Sequence, residues 1–184
     1  LSKEKIIKTF YSTSQYSFDT DNKQWITNFN PENFKRPIKL PFDLIDAKNN
    51  KKVLSKGEKL NFIIAKKLQD KNLKEILISN EELRGKYLAK DIFDKSKQPI
   101  CSAGTDLNDE ILEKIASNEI NKLEIVNIDP INKGPYILET LKVDKNRSKA
   151  DALNDIYKVL RPGEAPTIEI AEDVFNNLYF NKER

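Results

Sequence analysis

Arg161 is the side chain whose neighbours in the sequence come nearest to a built site. It stands at the mouth of Arg161-Pro162-Gly163-Glu164-Ala165-Pro166. Pro162 and Gly163 stop the helix that precedes them, and Pro166 keeps Ala165 out of the helical region. A guanidinium carried on such a stiffened corner is preorganised to grip a phosphate. The plainer reading is a cation placed at a helix C-terminus, where the helix dipole favours it. Residue types alone leave both readings open. Lys158 lies one turn earlier on a neighbouring face and is a second, weaker candidate for the same contact.

Other groupings of reactive residues reduce to simpler causes. Asp106, Asn108, Asp109 and Glu110 suggest a calcium loop, but the sixth position would be Ile111 rather than glycine, and the loop would run into a helix. Acids in a first helical turn are favoured by the dipole in any case. Gly85-Lys86 lacks the earlier glycine of a phosphate loop, and five glycines leave no dinucleotide-binding turn. The carboxylate pairs Glu81-Glu82 and Glu172-Asp173 stand among charged residues, which gives no reason for a shifted pKa. Lys51-Lys52 and Lys66-Lys67 read as solvated faces. The chain has no histidine, which removes Ser-His-Asp and Cys-His catalysis, His-based zinc sites and imidazole acid–base work together. Its one cysteine, Cys101, permits neither an internal disulfide nor a cysteine zinc cluster. No cofactor or metal is expected within this chain.

The elements that must carry Arg161 are two amphipathic helices. Leu153, Ile156, Tyr157 and Leu160 make one apolar stripe on a helix that starts near Ser148. Ala171, Val174, Phe175 and Leu178 repeat the pattern on a second, which Thr167 is placed to cap. At the other end of the chain, residues 3–11 suit a short helix with Ile6, Ile7 and Phe10 on one side. Tyr16, Phe18, the polar turn Asp21-Asn22-Lys23, then Trp25 and Thr27 read as a hairpin, with Trp25 a packing anchor. Residues 30–37 and 127–134 read as loops.

Between these lies an internal repeat. The offset that separates Gly57 from Gly104 also pairs Ile45 with Ile92, Ser55 with Ser102, Leu60 with Leu107, Asn61 with Asn108, Ile64 with Ile111, and Ile78 with Ile125. No gap is needed from Leu40–Ile78 against Tyr87–Ile125. Each copy reads strand, turn, strand, glycine turn, helix, strand, that is ββαβ. The glycine permits a positive φ ahead of the helix, and the paired asparagine is a suitable N-cap. The counterpart of Cys101 is Leu54, so the thiol reads as a buried, inert strand residue.

Gly134–Phe180 also resembles a known family. GPYILETLKVD, DALNDIYKVLRPGEAPT and AEDVFNNLYF are similar to the lobe region of the bacterial RNA polymerase β subunit, which commonly reads ALxxIYRxLRPGEPPT here. This chain departs at Ala165, in place of one of the paired prolines, and at Lys158, where arginine is common. The likeness continues more loosely through Phe42–Leu123, which resembles the insertion that proteobacterial β subunits carry within the lobe.

The resemblance implies an α+β fold, with a tandem ββαβ module inserted into a mainly helical lobe subdomain. Residues 1–12 and 143–184 would be the lobe part, the first helix packing on the last two, and residues 13–142 the insertion, with repeats at about 40–78 and 87–125. It implies a wall of the DNA channel, with Arg161 and Lys158 facing nucleic acid, and an appended surface for secondary-channel transcription factors. It implies the beta prime, alpha, omega and sigma subunits as partners, a cytoplasmic location, and magnesium-dependent nucleotidyl transfer whose catalytic residues lie elsewhere in the intact enzyme. A different class of reading, from the repeats alone, is a free-standing interaction module.

Composition sets the outer bounds. The 184 residues allow one or two domains, and a chain of that size buries roughly 70% of its unfolded surface. Charged residues make up 33% and hydrophobic residues 38%, and the net charge of +3 is too small to argue nucleic-acid binding from the total. No apolar run approaches the ~18 residues of a membrane span. The absence of methionine and the opening on Leu1 suggest a piece of a longer chain.

Overall fold

In the computed structural model the residues described are 2–128 and 134–181. Asp129-Pro130 and Lys133 of the expected exit loop lie outside them. The chain divides into two compact units, Leu1–Lys142 and Val143–Arg184.

In chain order, the larger unit has α1 (Lys3–Phe10), β1 (Thr13–Asp19), β2 (Gln24–Asn28), β3 (Ile38–Lys39), β4 (Leu44–Asp46), β5 (Lys52–Leu54), β6 (Lys59–Leu60), α2 (Phe62–Asp70), β7 (Glu75–Ile78), α3 (Asn80–Leu83), β8 (Ile92–Phe93), β9 (Pro99–Cys101), α4 (Asp109–Ser117), β10 (Lys122–Val126) and α5 (Tyr136–Val143), whose last residue falls just past the division. A short 3-10 turn, Pro31–Phe34, sits in the expected loop. With helices and antiparallel sheets together, the fold is α+β.

The hairpin β1–β2 supplies the second and third strands of a six-stranded sheet ordered β10-β1-β2-β7-β4-β5. Leu123, Tyr16, Thr27 and Ile76 stand opposite one another in turn across four strands. Leu123 and Ile76 occupy matching positions of the two repeats, so the copies flank the hairpin through their closing strands. Their helices span matching positions too, and Asn61 and Asn108 cap them alike, each side-chain oxygen accepting from the backbone N–H three residues on. Gly57 and Gly104 take φ of +87° and +84° ahead of them.

The copies differ in strand pairing. In the first, β4 pairs with both β5 and β7. In the second, β8 and β9 form a separate two-stranded ladder, and Leu88 bridges Ile125 instead. Each copy also has a further pairing ahead of its helix: β3 with β6, and Tyr87 with Asp106.

Three apolar clusters hold this unit. Trp25, Leu88, Leu107, Ile115, Leu123 and Ile125 fill one under the second repeat. Phe29, Leu44, Leu60, Ala65 and Leu73 fill its counterpart under the first. Trp25 is an anchor, packed edge-on to Phe18 at 5.0 Å, with its indole N–H donating to Asn80 Oδ1 at 2.9 Å. The third cluster joins Ile7 and Tyr11 to Ala103, Val126, Leu138 and Leu141. Ile7 of α1 is therefore fully buried, whereas Phe10 is 52% exposed and does not complete the stripe read from sequence. The Tyr11 hydroxyl donates to the Gly134 carbonyl at 2.7 Å, so the chain's entry into the unit is tied to its exit.

The smaller unit consists of α6 (Lys149–Leu160) and α7 (Ile168–Tyr179). Leu153, Tyr157 and Ala171 are buried there, with Val174 and Phe175 packed against them. Leu160 and Leu178, the outer members of the two stripes, are exposed.

Candidate nucleic-acid-facing corner

The corner of the smaller unit starts from a well-defined helix. Ser148 Oγ accepts from the Asp151 amide at 3.1 Å, and Asp151 Oδ2 accepts from the Ser148 amide at 3.1 Å, which closes a capping box. The helix buries Leu153 and Tyr157 and ends where the Arg161 amide donates to the Tyr157 carbonyl at 2.8 Å. Arg161 then leaves the helix at φ −134°, ψ 76°. Gly163 turns the chain at φ +91°, with no heavy atom within 4 Å of where a Cβ would stand. Backbone conformation, not space, asks for glycine there. Thr167 caps α7, its hydroxyl accepting from the Ile170 amide.

Arg161 does not hang free. The buried Tyr157 donates its hydroxyl to Glu164 Oε2 at 2.6 Å, and that carboxylate stands 4.0 Å from Arg161 Nη1. The guanidinium carbon lies 5.9 Å from the centre of the Tyr157 ring. The bond to Glu164 is the main cause that pushes the Tyr157 hydroxyl pKa up, and Arg161 pulls the other way. The Arg161 side chain is nonetheless 56% exposed. An exposed pair at this separation is worth little, so the guanidinium can exchange the carboxylate for a phosphate at small cost. Lys158 is exposed on the last turn of α6. The Tyr157–Glu164 bond is not apparent in the sequence, where Tyr157 counts only as an apolar stripe member. A tyrosine at the end of a buried stripe, followed across a Pro-Gly corner by an acid, is the signal that could have found it.

The larger unit has a cleft of about 610 Å³, lined by Tyr16, Thr27, Ile78 and Ile125 of the sheet and by Glu82 and Lys86. Burial pushes the Glu82 carboxyl up and the Lys86 ammonium down, and each partly offsets the other's displacement. Glu82 is also engaged as a cap, its Oε2 accepting from the Ser79 amide at 3.0 Å. The acids around Asn108 are answered singly: Asp109 by Arg84 at 2.6 Å, Glu110 by Lys114 at 2.7 Å and Asp106 by Lys142 at 3.2 Å. Among the described residues no group of three or more His, Cys, Asp or Glu could hold a metal ion. Cys101 is buried, and burial pushes its thiol pKa up. No described helix is long and apolar enough to cross a membrane.

No family model matches the chain. Curated relatives do. The DNA-directed RNA polymerase subunit beta of Rhizobium leguminosarum bv. trifolii (strain WSM2304) is 40% identical over 182 residues, which are 98% of this chain and 13% of the relative. That of Caulobacter sp. (strain K31) is 39% identical over 184 residues, 98% of this chain and 14% of the relative. That of Agrobacterium fabrum (strain C58 / ATCC 33970) is 40% identical over 182 residues, with 98% and 13% covered. The chain thus spans about an eighth of the length of the curated relatives it matches.

Proposed function

We propose that this chain, homologous along almost its whole length to one segment of RNA polymerase β subunits, serves as a non-catalytic part of such a subunit in DNA-templated transcription. The carrying observation is that homology, continuous through both units. On this reading residues 1–12 and 143–184 are the lobe part and residues 13–142 an insertion. Two features support the insertion. Thr13, the first residue of that segment, pairs with Val126, and Tyr11 just before it donates its hydroxyl to the Gly134 carbonyl, so the later part of the segment returns to where it begins, as an inserted module's does. The smaller unit meanwhile exposes Val159, Ile168, Ile170, Tyr179 and Phe180, apolar side chains that suit it to packing against further chain.

The role we assign is a wall of the DNA channel, with Arg161 on the phosphate backbone and Lys158 beside it. The inserted module offers a docking surface for transcription factors. The beta prime, alpha, omega and sigma subunits are the partners, the location is cytoplasmic, and the catalytic magnesium is held elsewhere in the enzyme. The test is Arg161→Ala in the assembled polymerase. Open complexes should dissociate faster, with the defect shrinking as salt rises, since a lost phosphate contact lowers the salt dependence. Equal lifetimes for both enzymes across a salt series would overturn the assignment of Arg161.

A further inference from the structure

In the larger unit, Lys39 of β3 stands directly opposite Lys59 of β6. Both are exposed. Like charges facing each other across a ladder are destabilising unless something neutralises them. Among the described residues neither lysine has an ion-pair partner, and the nearby acids are engaged elsewhere. Glu58 Oε2 accepts from the Ser55 amide at 3.0 Å, and Asp43 accepts from the Lys56 amide at 2.7 Å while pairing with Lys52 at 3.7 Å. Lys56, in the turn that leads to β6, holds its ammonium 6.0 Å from the centre of the Phe42 ring. The second repeat does the reverse. The counterpart of Lys59 there is Asp106, bridged to Tyr87 and neutralised by Lys142 at 3.2 Å. The same structural position is therefore cationic and unanswered in one copy, anionic and answered in the other.

We infer that the β3–β6 ladder and the Lys56 turn form a phosphate-backbone contact for a nucleic-acid strand, read without regard to base sequence. A polyanion supplies the missing counter-charge, and Lys56, in the turn three residues before Lys59, adds a third cation next to Phe42. An acidic protein is the poorer fit. Protein interfaces are depleted in lysine and built on an apolar centre, whereas between residues 35 and 74 the large apolar side chains exposed are Ile38 and Ile63. The inference stands on this unit alone and does not depend on the role of Arg161.

The test uses the 184-residue chain and labelled probes of mixed sequence, one a DNA duplex and one single-stranded RNA, with binding followed by fluorescence anisotropy from low to moderate salt. The double variant Lys39→Gln/Lys59→Gln should bind on the order of tenfold more weakly. Its log–log salt slope should be shallower by about 1.8 on duplex DNA or about 1.4 on single strands, the release expected for two phosphates. The stronger of the two probes identifies the natural strand type. Both substitutions are exposed and relieve a like-charge pair, so the variant should melt at or above the parent temperature; that check separates lost contact from lost fold. An unaltered slope in the double variant, or displacement of the probe by polyglutamate at equal charge concentration, would overturn the inference.

Discussion

At the scale of single residues, the informative cases are those where two effects oppose each other. Glu124 on β10 is one. Burial alone would raise its carboxyl pKa, but the Thr13 hydroxyl at 2.8 Å and the Lys8 ammonium at 3.1 Å outweigh it, and the folded value lies below the ordinary one. A lowered carboxylate contributes stability that is present above its unfolded pKa and is lost as pH falls through the folded one. The parent chain should therefore lose more stability between about pH 6 and about pH 3 than Glu124→Gln does, as urea titrations at the two pH values would read. Equal losses would mean that these contacts do not favour the charged form. The repeat glycines are a second case. Gly57 has open space where an added methyl would stand, and Gly104 would place one 3.6 Å from Ile7 Cδ1, an ordinary contact. Both hold positive φ, so Gly57→Ala and Gly104→Ala should each cost about 1–2 kcal/mol, from backbone strain alone. A much larger cost at Gly104, measured by chemical denaturation, would show that space around Ile7 matters as well.

At the scale of elements, the matched caps give the cleanest comparison. Asn61→Ala and Asn108→Ala each remove one side-chain acceptor from a helix of the same length, so each should cost about 1 kcal/mol in denaturant unfolding. The local devices are legible in the sequence because each needs only neighbours. The Asn caps, the Gly57 and Gly104 turns, the Ser148 and Thr167 starts and the Asp21-Asn22-Lys23 hairpin turn are set by side chains within a few residues. Strand partnership is not of that kind. Nothing local tells Glu75–Ile78 to pair with both Gln24–Asn28 and Leu44–Asp46, or the second copy to leave Ile92–Phe93 and Pro99–Cys101 in a ladder of their own. Those choices depend on which apolar faces meet across long stretches of chain. Tyr136–Val143 does not declare itself a helix, because its apolar residues gain their meaning only from a cluster with the distant Ile7 and Val126. The corner shows the same limit: Arg161 is visible as a cation after a helix, but the carboxylate that steadies it is held by a hydroxyl from the buried stripe.

At the scale of the molecule, the two units carry very unequal cores. The larger holds three clusters, with Ile7, Leu60, Leu83, Leu88, Leu107, Ile115, Leu123, Ile125 and Leu138 fully buried among them. The smaller buries Leu153, Tyr157 and Ala171 in a single pair of helices. Helices in proteins are held mainly by the apolar face they bury rather than by their own propensity. A pair of helices with so few buried side chains should therefore sit near zero net stability on its own, whereas the larger unit should fold unaided. A chain ending at Asp144 should then unfold in urea at the midpoint of the main transition of the whole chain. In the whole chain, part of the helical circular dichroism should be lost earlier, before the Trp25 fluorescence changes, since that tryptophan reports only on the larger unit. Leu153→Ala should bring the early loss forward and leave the later transition in place, while Leu107→Ala should lower the later one by about 2–5 kcal/mol. One coincident transition by both probes, with the shortened chain unfolded, would show that the units are stable only as one body.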